Sequence, residues 1–176
     1  MQKFAFDGNI ACGKTFALGG VSSDEWPVRK PAIDPRSFDS VFERQMAMAK
    51  EYALVQSRDE KALMDRSLLS VRAFTCLFRE QKKLSAEEEQ KVLDVCDGAP
   101  PVPVVFVRAS ARTCWERCKA RARDMDKDHT LEFFEQLEKH FDAALASYKG
   151  PVCVVDNEEF GPIAHPLKLS FKYHCE

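Results

Sequence analysis

The feature that most constrains this chain of 176 residues is a short glycine-containing segment near its start. Residues 8–15 read GNIACGKT, which fits the phosphate-binding pattern G-x-x-x-x-G-K-[ST], and the apolar run 4–6 precedes them. Glycines in such a loop let the backbone take positive φ and approach phosphates closely, while the following helix contributes N–H donors at its N-terminus. The lysine reaches the β- and γ-phosphates, and the hydroxyl binds Mg²⁺. The segment therefore predicts a nucleoside triphosphate site. The predicted ATP-binding residues are Gly8, Asn9, Ile10, Ala11, Cys12, Gly13, Lys14 and Thr15.

Short apolar runs recur along the chain and are separated by charged sequence with helical periodicity. Continuous runs of this kind are typical of buried parallel strands, and they occupy residues 4–6, 62–64, 102–107 and 152–155. A fifth strand is expected within residues 19–23. Strands that alternate with helices indicate an α/β fold, with a five-stranded parallel sheet flanked by helices. The length suits one P-loop domain over residues 1–176.

Helices are predicted over residues 36–57, over residues 67–83 and from about residue 110 to 124, and a capping box at Ser85-Ala86-Glu87-Glu88 begins a further one. The first of these helices has an apolar stripe that includes a glutamine. The stripe consists of Phe38, Phe42, Gln45, Met48, Ala49 and Tyr52. A buried amide without a partner costs about 1–3 kcal/mol. Gln45 is therefore expected to bond either to neighbouring backbone or to a ligand, and the sequence favours neither.

Composition excludes several classes of partner. A formal net charge of −2 argues against a surface that coats nucleic acid. No run approaches the roughly 20 apolar residues that span a bilayer, and a first strand that starts by residue 3 leaves no room for a targeting peptide. The seven cysteines include no CxxC pair, which favours free thiols in a reducing compartment. We expect a cytoplasmic protein without nucleic-acid or membrane partners.

A second informative site is Asp65-Arg66-Ser67, which directly follows the apolar run 62–64. Parallel α/β sheets bind their ligands at the carboxyl ends of strands. An aspartate there can hold Mg²⁺, and an arginine offers a planar fork of donors to phosphate. The alternative is a helix N-cap with a surface ion pair. Next to a phosphate-binding loop, the functional interpretation is favoured.

A strongly basic segment ends the helix predicted after residue 110. Arg117, Arg121 and Arg123 occur at spacings of four and two, and acidic residues follow. Such a run often forms only a solvated face, but arginines also stabilise the charge that develops in phosphoryl transfer. The interpretation favoured here is an arginine-rich lid that closes over the triphosphate. A weaker signal is Asp24-Glu25, whose carboxylates could accept a proton near the loop.

Taken together, these segments resemble the deoxynucleoside kinase family. The family pattern E-G-N-I-G-S-G-K-[ST] resembles residues 7–15, and its E-R-S resembles residues 65–67, with an aspartate that herpesviral members also use. The family's lid pattern, I-Y-L-R-x-[ST] followed by R-x-x-x-R-x-R, resembles residues 105–110 with the three arginines. Its P-L-E-Y-L-E-x-L-H-x-x-H-E-x-W-L resembles residues 130–145. The matches occur in the same order along nearly the whole chain.

The resemblance implies a 5′-kinase for deoxynucleosides that uses ATP and Mg²⁺ and forms a homodimer through helices like 36–57 and 67–83. The family's general base stands in an E-P-V motif. Its nearest match is Glu25-Trp26-Pro27-Val28, with one inserted residue, and Asp24 is the alternative. The implied catalytic residues are Glu25, Lys14, Arg66, Arg117, Arg121 and Arg123. The implied metal ligands are Thr15 and Asp65, and the substrate-binding set is Gln45, Met48, Tyr52, Arg66, Val71, Phe74 and Asp126.

The base-reading position is open between two residues. Counting from Asp34-Pro35 selects Glu43, whereas the apolar stripe selects Gln45, which is favoured because a buried carboxylate facing a neutral base carries the larger desolvation cost. Ala32 and Ile33 stand where the family has a sugar-binding tyrosine. Val71 is apolar where purine- and cytidine-preferring relatives have an aspartate, which favours thymidine or another pyrimidine. The short chain also resembles viral members, in which case the location is the host cytoplasm.

Two other functions compete with this interpretation. A nucleoside monophosphate kinase of the thymidylate type shares the loop, a D-R motif and an arginine lid, but it needs further basic residues for the acceptor's phosphate. A regulatory subunit that binds nucleotide without transferring phosphate belongs to a different class. Loss of turnover with retained ATP binding in a variant of Glu25 or Asp65 would argue against the regulatory role.

Overall fold

The computed structural model describes residues 3–34 and 37–158. Five strands form one sheet in the order β2-β3-β1-β4-β5, and all four pairings are parallel. The strands are β1 Lys3–Asp7, β2 Val28–Arg29, β3 Ala62–Asp65, β4 Val104–Arg108 and β5 Val152–Asp156. Each parallel pairing requires a crossover, which the helices supply. The α/β fold with a five-stranded parallel sheet is confirmed.

Within the described residues six α-helices connect the strands, and most begin at a side-chain cap. They are α1 Lys14–Val21, α2 Val41–Ser57, α3 Leu68–Glu80, α4 Ala86–Gly98, α5 Ala111–Arg121 and α6 Leu131–Ala146. The capping residues are Ser40, Ser67, Ser85, Ser110 and Thr130, whose hydroxyls accept a backbone N–H of the first turn. The predicted capping box at Ser85 and Glu88 is present. Among the described residues, no helix combines the length and apolar character that a membrane crossing requires.

Helices cover both faces of the sheet because successive strand residues point to opposite sides. Ala5 and Met64 join a core cluster with α2, α3, α4 and α6. Phe6 and Leu63, their neighbours along the same strands, join a second cluster with α1 and α5. Phe134, near the start of α6, also belongs to the second cluster. The sheet is therefore sandwiched between two apolar layers, as continuous apolar strands predict.

The prediction of a strand within residues 19–23 is wrong. Helix α1 continues through Val21, and Ser23 forms an isolated antiparallel bridge with Trp26. The fifth strand is β2, whose entry residue Pro27 accepts a hydrogen bond from the amide of Leu63 at 3.0 Å. It is only two residues long, and its sequence has no apolar run that could reveal it. These two residues form a strand because they pair with β3, and a pairing between distant segments cannot be read from the local sequence.

Phe141 of α6 joins the larger core cluster to the sheet. Its ring lies 5.6 Å from that of Phe106 and 6.3 Å from that of Phe74, and the residue is 1% exposed. We expect Phe141→Ala to lower the free energy of unfolding by about 3–5 kcal/mol, because it removes a buried ring and leaves a cavity. Urea denaturation measures the change. The matched control is Phe16→Ala, whose ring is 54% exposed and which should cost less than about 1 kcal/mol; similar losses in the two variants would contradict this account of the core.

Candidate active site

The loop of residues 8–13 follows β1 at the carboxyl edge of the sheet, and its glycines are sterically required. Gly8 has φ 138° and Gly13 has φ 107°. A Cβ at Gly8 would lie 2.3 Å from the carbonyl oxygen of Val107, and one at Gly13 would lie 2.3 Å from the side-chain amide of Asn157. The loop therefore has the positive φ values and close backbone contacts that the sequence pattern predicts.

Lys14 folds back over this loop at the start of α1. The residue is buried, and its ammonium donates to the carbonyl of Asn9 at 2.7 Å and to Sγ of Cys12 at 3.6 Å. Burial, and next the positive charge of Arg66, lower the pKa of Lys14, while the charge of Asp65 is among those that raise it. A bound triphosphate would supply the negative charge that this site lacks. Thr15 follows on the first turn and is exposed.

Asp7, at the end of β1, attaches the loop to the Asp65-Arg66-Ser67 segment. This fully buried carboxylate accepts from the amide of Gly8 at 2.9 Å. It accepts from the amide and hydroxyl of Ser67 at 3.0 and 2.7 Å. It also accepts from the amide of Ser70 at 3.2 Å and from the Ser70 hydroxyl. Asp7 is therefore the residue on which the relative position of the two motifs depends.

Sequence reasoning missed Asp7 as a site residue, although a signal was present. An acidic residue directly before the loop is an acceptor and so a candidate partner for N–H and O–H donors of the protein. Two serines three positions apart, Ser67 and Ser70, open the helix that follows β3. Both present hydroxyl and amide donors, which is the set that a buried carboxylate requires.

Arg66 and Asp65 make different contacts at the end of β3. Arg66 has φ 74°, and its guanidinium donates to the Ser70 hydroxyl at 2.8 Å and to the Gly8 carbonyl at 3.4 Å. The carbonyl of Asp65 accepts from the hydroxyl of Tyr52 at 3.0 Å. The structure thus brings Lys14, Asp65 and Arg66 to one edge of the sheet, as predicted, and adds Tyr52 of α2 beside them.

The predicted base-binding residues lie where α2 packs on α3. Gln45 is 6% exposed, and its side-chain oxygen accepts from the hydroxyl of Thr75 at 3.2 Å. Glu43, the alternative, is exposed, and its amide is used by the Ser40 cap. Of the two candidates, Gln45 is therefore the one that faces inward. The other predicted members of this set, Met48, Tyr52, Val71 and Phe74, belong to or pack against the same core cluster.

The structure does not bring Glu25 to this edge, which corrects the expectation that it lies beside the loop. Glu25 precedes β2, and its carboxylate lies 3.5 Å from Nζ of Lys61, the residue before β3. Residues that precede parallel strands lie at the amino edge of the sheet, opposite the loop that follows β1. Asp24 lies in the same turn, which the bridge between Ser23 and Trp26 closes. Both carboxylates therefore lie before β2, and Lys14 lies after β1 at the other edge of the sheet.

Strand register explains this error. Arg29, the last residue of β2, is level with Met64, and Lys30 follows it along the chain. The residue at the carboxyl end of β2 is therefore a lysine and not a carboxylate. The resemblance to E-P-V does not identify the carboxyl end of β2, because the bounds of this two-residue strand depend on its pairing with β3.

The predicted lid consists of the end of α5 and the short 3₁₀ turn Asp124–Asp126. Helix α5 ends where Ala122 adopts a left-handed conformation, with φ 48°. Arg121 forms an ion pair with Asp126 inside this segment, and Arg123 is exposed. The structure thus pairs Arg121 with Asp126. Arg121 is predicted to act on the triphosphate, whereas Asp126 is predicted to bind the acceptor substrate.

Arg117 lies nearer the loop and is connected to it by the residues that follow β5. Its guanidinium donates to the carbonyls of Asn157 at 2.8 Å and Glu158 at 3.3 Å. The side chain of Asn157 donates to the carbonyl of Cys12 at 2.6 Å, and its buried oxygen has no hydrogen-bond partner among the described residues. No sequence motif pointed to Asn157. It links the phosphate-binding loop to α5.

We expect Asp7→Ala to destabilise the protein by roughly 2–4 kcal/mol, because the buried donors of Ser67 and Ser70 lose their shared acceptor. Equilibrium urea unfolding without nucleotide measures this loss. Asp156→Ala is the matched control, since Asp156 also ends a strand but is exposed and, among residues 3–34 and 37–158, accepts a hydrogen bond only from the amide of Glu158. Its cost should stay below about 1 kcal/mol. Equal effects of the two substitutions would show that Asp7 is not the anchor.

Comparison with known proteins agrees with this geometry. The profile of the family described as deoxynucleoside kinase matches residues 32–164, whereas a comparison with curated protein sequences finds no match. The deoxyadenosine kinase from M. mycoides with the products dCMP and a flexible dCDP bound has a similar fold, with a TM-score of 0.73, 20% identity and coverage of 92% of each chain.

The same enzyme gives TM-scores of 0.72 in two further structures. With bound dCTP the identity is 19%, covering 89% of this chain and 90% of that one. With bound dATP the identity is 20%, covering 89% and 91%. These likenesses establish the fold, and the profile match spans more than half of the sequence. The chain belongs to the deoxynucleoside kinase family.

Proposed function

We propose that this protein transfers the γ-phosphate of ATP to the 5′-hydroxyl of a deoxynucleoside, as one domain acting in the cytoplasm. The observation that carries the proposal is the grouping of Lys14, Asp65 and Arg66 at one edge of the sheet, held by the buried Asp7. Positioned cations next to a glycine-rich loop are what phosphoryl transfer requires, because the charge spreads over the equatorial oxygens.

The residues at this edge divide between binding and charge stabilisation. The loop amides and Lys14 would hold the β- and γ-phosphates, and Arg66 would face the transferring group. Arg117, Arg121 and Arg123 would close over the donor from α5 and the turn after it. For Arg121 this requires the ion pair with Asp126 to open. Exclusion of water on closure strengthens each of these charge interactions.

The available ligands fit Mg²⁺ held mainly by the nucleotide. The Thr15 hydroxyl and the Asp65 carboxylate are hard oxygen donors of the kind Mg²⁺ prefers. Within the described residues, no group of three or more histidine, cysteine or acidic side chains could hold a metal. A site that relies on phosphate oxygens and water suits this sparse protein contribution. Bound Mg²⁺ would neutralise charge on the β- and γ-phosphates.

The acceptor pocket proposed here lies between α2 and α3. Gln45 offers an amide donor and acceptor to the Watson–Crick edge of a base, and Val71 supplies an apolar wall, which supports thymidine or another pyrimidine as the acceptor. The M. mycoides deoxyadenosine kinase has been solved with dCMP, dCTP and dATP, so its fold accommodates more than one base. We also propose a homodimer through α2 and α3.

A radiolabelled-ATP assay against the four deoxynucleosides and their monophosphates tests the function directly. We expect label transfer to a pyrimidine deoxynucleoside and loss of at least about 10²-fold in kcat for Lys14→Ala. Lys91→Ala, an exposed lysine paired with Glu87 on α4, is the matched control and should retain wild-type turnover. Wild-type rates from Lys14→Ala would refute the proposed site.

The monophosphates belong in this assay because of Lys30. This cation directly follows β2, the neighbour of β3 in the sheet. A phosphate of the acceptor bound by Lys30 would favour the thymidylate-kinase alternative. Transfer to a monophosphate and not to a deoxynucleoside would establish that activity.

We expect Gln45→Ala to raise KM for the preferred deoxynucleoside and to relax the choice of base, with a smaller effect on kcat. The reason is that the amide contacts the base and not the reacting phosphoryl group. Glu43→Ala is the control on the same helix, since Glu43 is exposed. Steady-state kinetics with all four deoxynucleosides compare the two. A selectivity change in Glu43→Ala alone would reverse the assignment.

A further inference from the structure

Asn157 is a buried polar residue at the carboxyl edge of the sheet to which the proposed reaction gives no role. It directly follows β5 and is 6% exposed. Its backbone amide donates to the carbonyl of Arg108 at 2.7 Å, which continues the pairing of β4 with β5 by one residue. Its backbone carbonyl accepts from the guanidinium of Arg117 at 2.8 Å. The backbone of Asn157 is therefore held by the sheet and by α5, whatever its side chain contacts.

The side chain of Asn157 packs against the phosphate-binding loop at one peptide group, the one that joins Cys12 to Gly13. Its Nδ2 donates to the carbonyl of Cys12 at 2.6 Å. The same nitrogen lies so close to Gly13 that a Cβ added there would be 2.3 Å from it. Because a carbonyl can only accept, the nitrogen of the side-chain amide, and not its oxygen, must face the loop.

The direction of the Cys12 carbonyl also determines the direction of the next backbone amide. In a planar trans peptide the C=O and the N–H point to opposite sides, so the N–H of Gly13 points away from Asn157. Within the described part of the chain, this N–H donates to no backbone acceptor. It is therefore available to an anion in the loop, directly before α1, whose first N–H groups also favour negative charge.

We propose that Asn157 is a positioning residue of the donor site, which directs the N–H of Gly13 toward the phosphates of ATP by holding the carbonyl of Cys12. It acts through the loop and not by contact with the reacting atoms. Glycine is required at position 13 for this arrangement, because a side chain there would displace the Asn157 amide. The inference rests on the proposed function, since it assigns the N–H of Gly13 to the phosphates of the donor.

Replacing Asn157 by alanine removes the contact with the loop and retains the backbone contacts to Arg108 and Arg117. We expect Asn157→Ala to raise the Kd for ADP and the KM for ATP by about 10-fold and to leave the KM for the deoxynucleoside unchanged. Calorimetric titration and steady-state kinetics measure these constants. The Kd for AMP, which lacks the β-phosphate, should stay at the wild-type value.

Tyr148→Phe is the matched control. The hydroxyl of Tyr148 donates to the carbonyl of Val102, which precedes β4 and therefore lies at the opposite edge of the sheet. This substitution also removes a hydrogen bond from a side chain to a backbone carbonyl, so it should lower the thermal stability while the Kd for ADP stays unchanged.

Asn157→Asp keeps the shape of the side chain but has no N–H to donate. It should weaken ADP binding at least as much as alanine does, and it takes the place of Asn157→Ala in every measurement if the alanine variant does not fold.

A spectroscopic readout separates positioning of the loop from a general loss of stability. In ¹⁵N-labelled wild-type protein, the amide proton resonance of Gly13 should shift when ADP is added, because the N–H then donates to a phosphate. The shift should be clearly smaller in Asn157→Ala and unchanged in Tyr148→Phe. An equal shift in all three proteins would show that Asn157 does not orient this amide, and would overturn the inference.

The binding constants give further decisive outcomes. Wild-type affinity for ADP in both Asn157 variants would overturn the inference and leave the kinase function intact. Equal losses of affinity for AMP and ADP would also overturn it, because Asn157 would then act on the nucleoside and not on the phosphates. A wild-type protein that binds ADP but labels no deoxynucleoside would refute the proposed transfer, whereas weaker ADP binding in Asn157→Ala would still support the positioning role.

Discussion

The buried carboxylate of Asp7 is the constraint on which the site depends. It is fully buried, and burial is tolerated because amides and hydroxyls from the loop and from the segment that begins α3 all donate to it. Satisfying this one group brings the end of β1 and the end of β3 together. Lys14 and Asp65 take their relative positions from that contact, so a requirement of folding also builds the proposed phosphate site.

Local patterns predicted much of the fold and half of the site. Apolar runs located four of the five strands, and helix-cap residues such as Ser85 marked a helix start, because those signals lie within a few residues of the element they define. The glycine pattern of the loop is equally local. The phosphate-binding loop could therefore be located from the sequence, whereas Asp7 and Asn157, which hold it in place, could not.

The acceptor side of the proposed site could not be predicted from the sequence, and β2 shows the reason. A strand of two residues exists only because β3 provides a partner for it, so its register is a tertiary property. Without that register, the sequence does not show that Glu25 precedes β2 and that Lys30 follows it. Asn157 illustrates the same limit, since its role comes from the proximity of the end of β5 to the loop and from no pattern around it.

A two-residue edge strand is compatible with a well-fixed phosphate-binding edge because the residues of that edge come from other strands. β3 lies between β1 and β2, and the carbonyl of Asp65 is fixed by Tyr52. Asp65 and Lys14 are therefore both positioned by the two strands β1 and β3 and the elements that follow them. β2 can be as short as two residues without displacing either of them, since neither residue depends on β2 for its position.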